Sequence, residues 1–172
     1  METEFDLKKL ILKESLNEAE LDFCADLMLQ SEPWRTYRFT YKQCIGVLQG
    51  DKKHVYIAEY ENQKVGFVAF HFQGLLRGYI QTLCIKSEFT SKGIGTFLLK
   101  FCENKILQKY PNVFLCVSSF NHEAQKLYYR LGYKKIGELK DHVLHGHDEY
   151  ILQKHTSSLI EYFADNKTQQ SS

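Results

Sequence analysis

The stretch from Gln81 to Tyr110 constrains the fold more than any other. An apolar, β-branched run, Ile80 to Ile85, passes through a polar turn into a helical pattern of Ile94, Phe97, Leu98, Phe101 and Cys102. That order predicts a strand, a loop and a helix. Gly93 and Gly95 open the helix, where the first backbone amides have no intrahelical partner and the macrodipole leaves partial positive charge. An anion is expected there: the glycines keep side chains out of its way, and Lys92 adds a cation. A Walker loop is excluded, because Lys92 precedes its glycine instead of following it. A dinucleotide fingerprint is excluded too, since Leu98 stands where a third glycine is needed and Asn112 to Leu115 offers no acidic residue. By themselves the two glycines also suit a tight strand-to-helix turn.

Two motifs supply the context. The loop reads Thr90-Ser91-Lys92-Gly93-Ile94-Gly95, and downstream comes Asn121-His122-Glu123-Ala124-Gln125-Lys126-Leu127-Tyr128-Tyr129-Arg130-Leu131-Gly132-Tyr133. In this order and spacing they resemble the pyrophosphate loop and the Asn-x-x-Ala to Leu-Gly-Tyr signature of the GNAT superfamily of acyl-CoA-dependent N-acetyltransferases. Thr90 departs from the Arg or Gln of that family. The similarity is read from about residue 54 to residue 153.

The resemblance implies an α/β fold: a mixed, mainly antiparallel central sheet, splayed between its fourth and fifth strands, with helices on both faces. It implies acetyl-CoA as co-substrate and no metal. The pyrophosphate would rest on the amides of Ser91, Lys92, Gly93, Ile94, Gly95 and Thr96. Backbone at Leu83, Cys84 and Ile85 would meet the pantetheine, one N–H polarising the thioester carbonyl. Asn121 would meet a cofactor amide or cap its helix, and Tyr128 would be the general acid or a core residue. Many family members carry a Glu base where this chain has Gln81, which cannot ionise. Gln81 would orient a relay water, with His71, His145, His147 or Glu149 as alternative proton acceptors. Around the acceptor the resemblance places Trp34, Tyr37, Tyr79, His145 and His147.

The implied reaction is acetyl transfer to an amine of a small molecule, peptide or protein terminus, by direct attack in a ternary complex. The alternative is a non-catalytic acyl-CoA-binding or regulatory module. Glu32, Asp141, Asp148 and Glu149 would suit a cationic acceptor, whereas Arg35, Arg38 and Arg77 would suit an anionic one.

With 172 residues, 44% hydrophobic content and a net charge of +1, the chain suits one globular domain over 1–155 and a C-terminal extension over 156–172. The balanced charge gives no reason to expect nucleic acid. An acidic start and the lack of an 18-residue apolar run predict a cytoplasmic protein without membrane attachment. The oligomeric state is open, with a homodimer as the candidate. Five scattered cysteines read as buried free thiols.

Element by element, Leu7 to Lys13 predicts a first strand. Ser15 and Glu18 have capping-box spacing for a helix ending near Gln30, and Thr40 with Gln43 caps a second running toward Gly50. Composition reads the aromatic residues between them as core. His54 to Glu59 and Lys64 to Phe72 form a hairpin, in which Gly66 marks a bulge or a close backbone approach. Tyr79 to Ile85 and Val113 to Val117 are buried strands, and a helix through Ala124, Leu127, Tyr128 and Leu131 ends at Gly132. Tyr133 to Leu139 and Glu149 to Leu152 are the last strands, with His142, His145 and His147 on a loop between them that lacks a zinc signature. A short helix at Leu159 to Phe163 precedes a disordered tail from Asn166.

Overall fold

The computed structural model describes residues 5–14, 17–50 and 52–169. Its strands are β1 (Ile11–Glu14), β2 (Lys53–Tyr60), β3 (Gln63–His71), β4 (Tyr79–Ile85), β5 (Asn112–Ser118), β6 (Lys134–Leu144) and β7 (His147–His155). They follow the hydrogen-bonded order β1-β2-β3-β4-β5-β7-β6. The helices are α1 (Glu18–Gln30), α2 (Tyr41–Leu48), α3 (Ile94–Leu107), α4 (His122–Arg130) and α5 (Leu159–Gln169). Residues group into two compact units: one holds the described residues as far as His71 together with Gln81–Lys100, the other Phe72–Ile80 together with Phe101 onward. No helix among the described residues is long and apolar enough to cross a membrane.

In the first unit, α1 packs on α2 and β3. Cys24, Leu27 and Met28 of α1, Cys44 and Leu48 of α2, and Val55, Ile57, Phe67 and Ala69 of the hairpin form its core with Cys84. Sequence reading placed a strand over Leu7 to Lys13. Instead Leu7–Lys9 is a 3₁₀ turn, because the Asp6 carboxylate accepts from the Lys8 amide and starts a tight turn before β1. The α1 capping box is formed by Asn17 and Glu20, whose backbone and side chains bond reciprocally. The expected Ser15 falls outside the described residues. Thr40 and Gln43 form the second box as anticipated. Glu61 and Asn62 both take left-handed backbone angles, the two-residue turn that matches strand twist. Gly66 answers to both of its expected roles: the β2–β3 register shifts beside it, and a Cβ there would lie 2.5 Å from the Cys84 carbonyl oxygen.

In the second unit, Tyr79 and Ile80 of β4 form a parallel ladder with Phe114 and Leu115 of β5. Just before it, Gly78 has φ 81°, and a Cβ would come within 2.4 Å of Ile106 and 2.7 Å of the Asn112 carbonyl. β5 pairs antiparallel with β7 along its length, and β7 with β6. α4 ends in a Schellman motif: Gly132, φ 91°, donates its amide to Tyr129 and Tyr133 donates to Tyr128.

Two expectations need correction here. The histidine loop is mostly strand: β6 and β7 extend to the turn at His145 and Gly146, and the β6–β7 register skips between Leu139 and Leu144. Lys140 bridges Glu138 and Asp148 across this stretch, so ion pairs hold together a segment whose polar residues read as loop. The C-terminal helix does not stop near Phe163; α5 runs to Gln169, with Ser158 capping it through Glu161 and the Tyr162 hydroxyl tied to the Leu107 carbonyl. The predicted disordered tail therefore begins inside a helix, and residues 170–172 fall outside the described residues.

Candidate active site

The loop expected to bind phosphate lies in the first unit. Ser91 and Gly93 take φ values of 61° and 84°, and Ile94 to Thr96 form the first turn of α3. Phe97 donates to the Gly93 carbonyl, which makes it the first amide satisfied from this end; those of Ile94, Gly95 and Thr96 point forward without an intrahelical partner. Lys92 is exposed, with its ammonium 5.5 Å from the Phe5 ring centre and 5.3 Å from that of Phe89. Phe5 stacks on Tyr60 at 4.2 Å, and Leu7 sits 3.1 Å from the point a Gly93 Cβ would occupy. The segment before β1 thus braces the loop. Sequence reading missed Phe5 and Leu7, which lie more than eighty residues away along the chain. Thr90, at the departing position, is exposed and donates to the Ser87 carbonyl at 2.7 Å.

A cleft of about 610 Å³ opens beside this loop, lined by Phe23, Asp26, Leu27, Gln30, Ser31, Glu32, Arg35 and the segment Ile85 to Glu88 with Thr90. Of the backbone expected along the pantetheine, Ile85 borders the cleft. Leu83 and Ile85 are half-buried, whereas the Cys84 side chain is buried in the core. Trp34 packs partly buried against that core and Tyr37 is buried, so both serve packing here. Arg35 and Glu32, which form an ion pair at 2.7 Å, reach the cleft instead. The Gln81 Oε1 atom is buried and has no hydrogen-bond partner, an acceptor without a donor at the position expected of a base.

The second unit holds the remaining predicted groups. The Asn121 carboxamide oxygen caps α4 by accepting from the Ala124 amide at 3.3 Å. Tyr128 is half-buried on α4, edge-on to Tyr133 at 6.0 Å, while neighbouring Tyr129 is 44% exposed. Tyr79 is half-buried and its hydroxyl bonds Cys116; burial, then Cys116 and Glu149, pushes the phenol well above its ordinary range. Glu149 is buried and accepts from the Ser118 hydroxyl at 2.6 Å. His147 packs edge-on against Phe120 at 5.0 Å. His145 is 94% exposed and lies 3.4 Å from Asp141, so it stands in solvent, apart from the Tyr79 group. Cys116 and Ser118 were not anticipated. Their pairing with Tyr79 and Glu149 depends on register across three strands, which no local pattern encodes.

All five thiols are free, as expected, and four are buried. Burial raises the Cys24 pKa to about 12 and pushes that of Cys84 well above the usual thiol range, which leaves them unreactive.

Comparison with known proteins agrees with this geometry. The model of the acetyltransferase (GNAT) family matches residues 14–133, starting well before the residue 54 read from sequence and so taking in α1 and α2. An N-alpha-acetyltransferase of Saccharolobus solfataricus is 29% identical over 80 residues, 45% of this chain and 48% of its own length. An uncharacterized N-acetyltransferase of Methanocaldococcus jannaschii is 32% identical over 105 residues, 58% of this chain and 64% of its own. The chain therefore spans about half to two thirds of the curated relatives it matches. A GNAT acetyltransferase from Elizabethkingia anophelis, solved with acetyl-CoA bound, superposes with a TM-score of 0.68 at 16% identity, over 86% of this chain and 99% of that one. A family model matching most of the chain, a mixed sheet with parallel β4–β5 pairing and a glycine-opened α3 lead to one conclusion: the chain belongs to the GNAT acetyltransferase family.

Proposed function

We propose that the chain is an N-acetyltransferase that carries an acetyl group from acetyl-CoA to an amine by direct attack in a ternary complex. The observation that carries this reading is the start of α3: three forward-pointing amides, left-handed backbone at Ser91 and Gly93, and a cation at Lys92 suit a pyrophosphate. A Cβ at position 93 would crowd Leu7 at 3.1 Å on a backbone with φ 84°, so the cradle favours glycine. The names of the archaeal relatives favour the α-amine of a peptide or protein terminus as acceptor.

Bound acetyl-CoA supplies an activated acyl group with a sulfur leaving group. The Tyr128 hydroxyl meets that sulfur as negative charge develops, an interaction stronger in the transition state than in the ground state. Gln81 offers its orphaned Oε1 to a water or to the acceptor, and it orients without taking a proton. The acceptor's proton therefore needs another destination, because an ammonium has no lone pair with which to attack.

Acceptor-dependent release of free thiol from acetyl-CoA tests the reading. Short peptides with a free α-amine should accelerate release, and the same peptides blocked at that amine should not. Tight CoA binding with no acceleration by any amine would make the chain a non-catalytic acyl-CoA module.

A further inference from the structure

Of the four alternative proton acceptors named from the sequence, one is a carboxylate buried among the strands of the second unit. Ser118 and Glu149 stand opposite each other in the β5–β7 ladder. Both are almost inaccessible, at 1% and 6% exposure, and the Ser118 hydroxyl donates to Glu149 at 2.6 Å. Strand alternation puts Cys116 on the same side of β5 as Ser118, and Tyr79 of β4 reaches Cys116 through its hydroxyl. His147, two residues before Glu149, shares that side of β7, and Leu139 of β6 stands opposite Glu149. Resting on the acetyltransferase reading, we propose that Glu149 docks the acceptor's ammonium group and takes its proton before the amine attacks.

Three observations lead there. First, the Ser118 hydroxyl would serve a neutral amide as well as a carboxylate, so the hydrogen bond does not require a charge at this position. A charge shielded from water attracts an ammonium far more strongly than one at the surface. Second, the other acidic groups nearby cannot do the work. Burial holds the Tyr79 phenol and the Cys116 thiol in their protonated forms, bonded to each other and neutral. Third, this corner is fastened to the helix that carries Tyr128. Gln125, three residues before Tyr128, donates to the carbonyls of Ser118 and Ser119 at 2.9 and 3.0 Å. Ser119 in turn exchanges bonds with Asp148, its amide to the Asp148 carbonyl at 2.8 Å and its hydroxyl accepting from the Asp148 amide at 3.3 Å. Proton acceptor and proton donor thus belong to one packed assembly.

The step balances. The ammonium gives a proton to a Glu149 oxygen, leaving a neutral amine and a carboxylic acid. The nitrogen lone pair then forms the C–N bond as the C–S bond breaks. Tyr128 protonates the departing sulfur, and the proton shed by the acylated nitrogen restores Tyr128. Glu149 later returns its proton to solvent.

The test compares the full chain with Glu149→Gln, which keeps the volume and the bond from Ser118, and with Glu149→Asp, which keeps the charge. An alanyl dipeptide amide is the acceptor probe, with calorimetric CoA binding measured on each preparation. In Glu149→Gln, kcat/KM for the peptide should fall at least about a hundredfold, the usual scale for a general base, with CoA affinity unchanged; Glu149→Asp should recover part of the loss. Should Glu149→Gln fail to fold, Asp carries the comparison, because a group that only accepts the Ser118 bond would lose stability on shortening without a selective loss in kcat/KM. Wild-type kcat/KM in Glu149→Gln would overturn this inference and leave the transferase reading intact. A wild-type chain that binds CoA but acetylates no amine would overturn both.

Discussion

At the residue scale, two adjacent tyrosines allow the proposed chemistry to be tested against packing. Tyr128 and Tyr129 share a helix turn, but Tyr128 lies half-buried against Tyr133 whereas Tyr129 faces solvent. Replacing Tyr128 with Phe removes one hydroxyl and keeps the ring, so kcat should fall about a hundredfold or more with CoA affinity retained. Tyr129→Phe should leave both near wild type. Steady-state kinetics and calorimetry on the pair check this, and equal behaviour would reduce Tyr128 to a core residue. Tyr128 was legible because it sits inside a motif of fixed spacing. Glu149 was legible only as one of four alternative proton acceptors, since its burial and its pairing with Ser118 across β5 and β7 are not encoded locally.

At the scale of elements, the start of α3 couples backbone conformation to a neighbour. A Gly93→Ala chain would pay about 1–2 kcal/mol for a left-handed alanine and would also push its Cβ against Leu7. CoA affinity should drop at least about tenfold by that estimate. Adding Leu7→Ala should return only the steric part, because the backbone cost remains. Calorimetry on the two single variants and the double variant reads out the difference; full recovery in the double would mean that backbone angle is unimportant there. Glycine spacing and the apolar stripe made α3 visible in the sequence, as alternation did for β2 to β5. The first half of β6 was read as a strand, but its second half, Lys140 to Leu144, stayed hidden for a physical reason. It is exposed, so no apolar alternation marks it, and Lys140 pairs with Glu138 along the strand and with Asp148 across to β7. The 3₁₀ turn at Leu7–Lys9 was masked in the same way, by an aspartate that reads as polar surface until its cap is seen.

For the whole molecule, surface carboxylates set the response to acid. Lys135 and Lys140 hydrogen-bond Glu138, Lys140 hydrogen-bonds Asp148 and Lys126 hydrogen-bonds Glu123, and these contacts hold the three carboxyls below their ordinary values of 4.5 for Glu and 3.8 for Asp. A carboxyl whose pKa is depressed by folding stabilises the fold above its ordinary value and loses that contribution as pH falls through the folded value. The denaturant midpoint should therefore hold steady from neutrality to near 4.5 and decline below it. These pairs are exposed, so high salt should flatten the decline. Circular dichroism across pH at two salt concentrations measures it; a salt-independent slope would overturn the assignment to these surface pairs. The brace of Phe5 and Leu7 on the phosphate loop has a consequence of its own. Linkage is reciprocal: if docking of these residues sharpens the loop for CoA, then CoA must strengthen their docking by the same factor. Order ahead of β1 becomes a gauge of cofactor occupancy, readable in the exchange of the Lys8 and Lys9 amides.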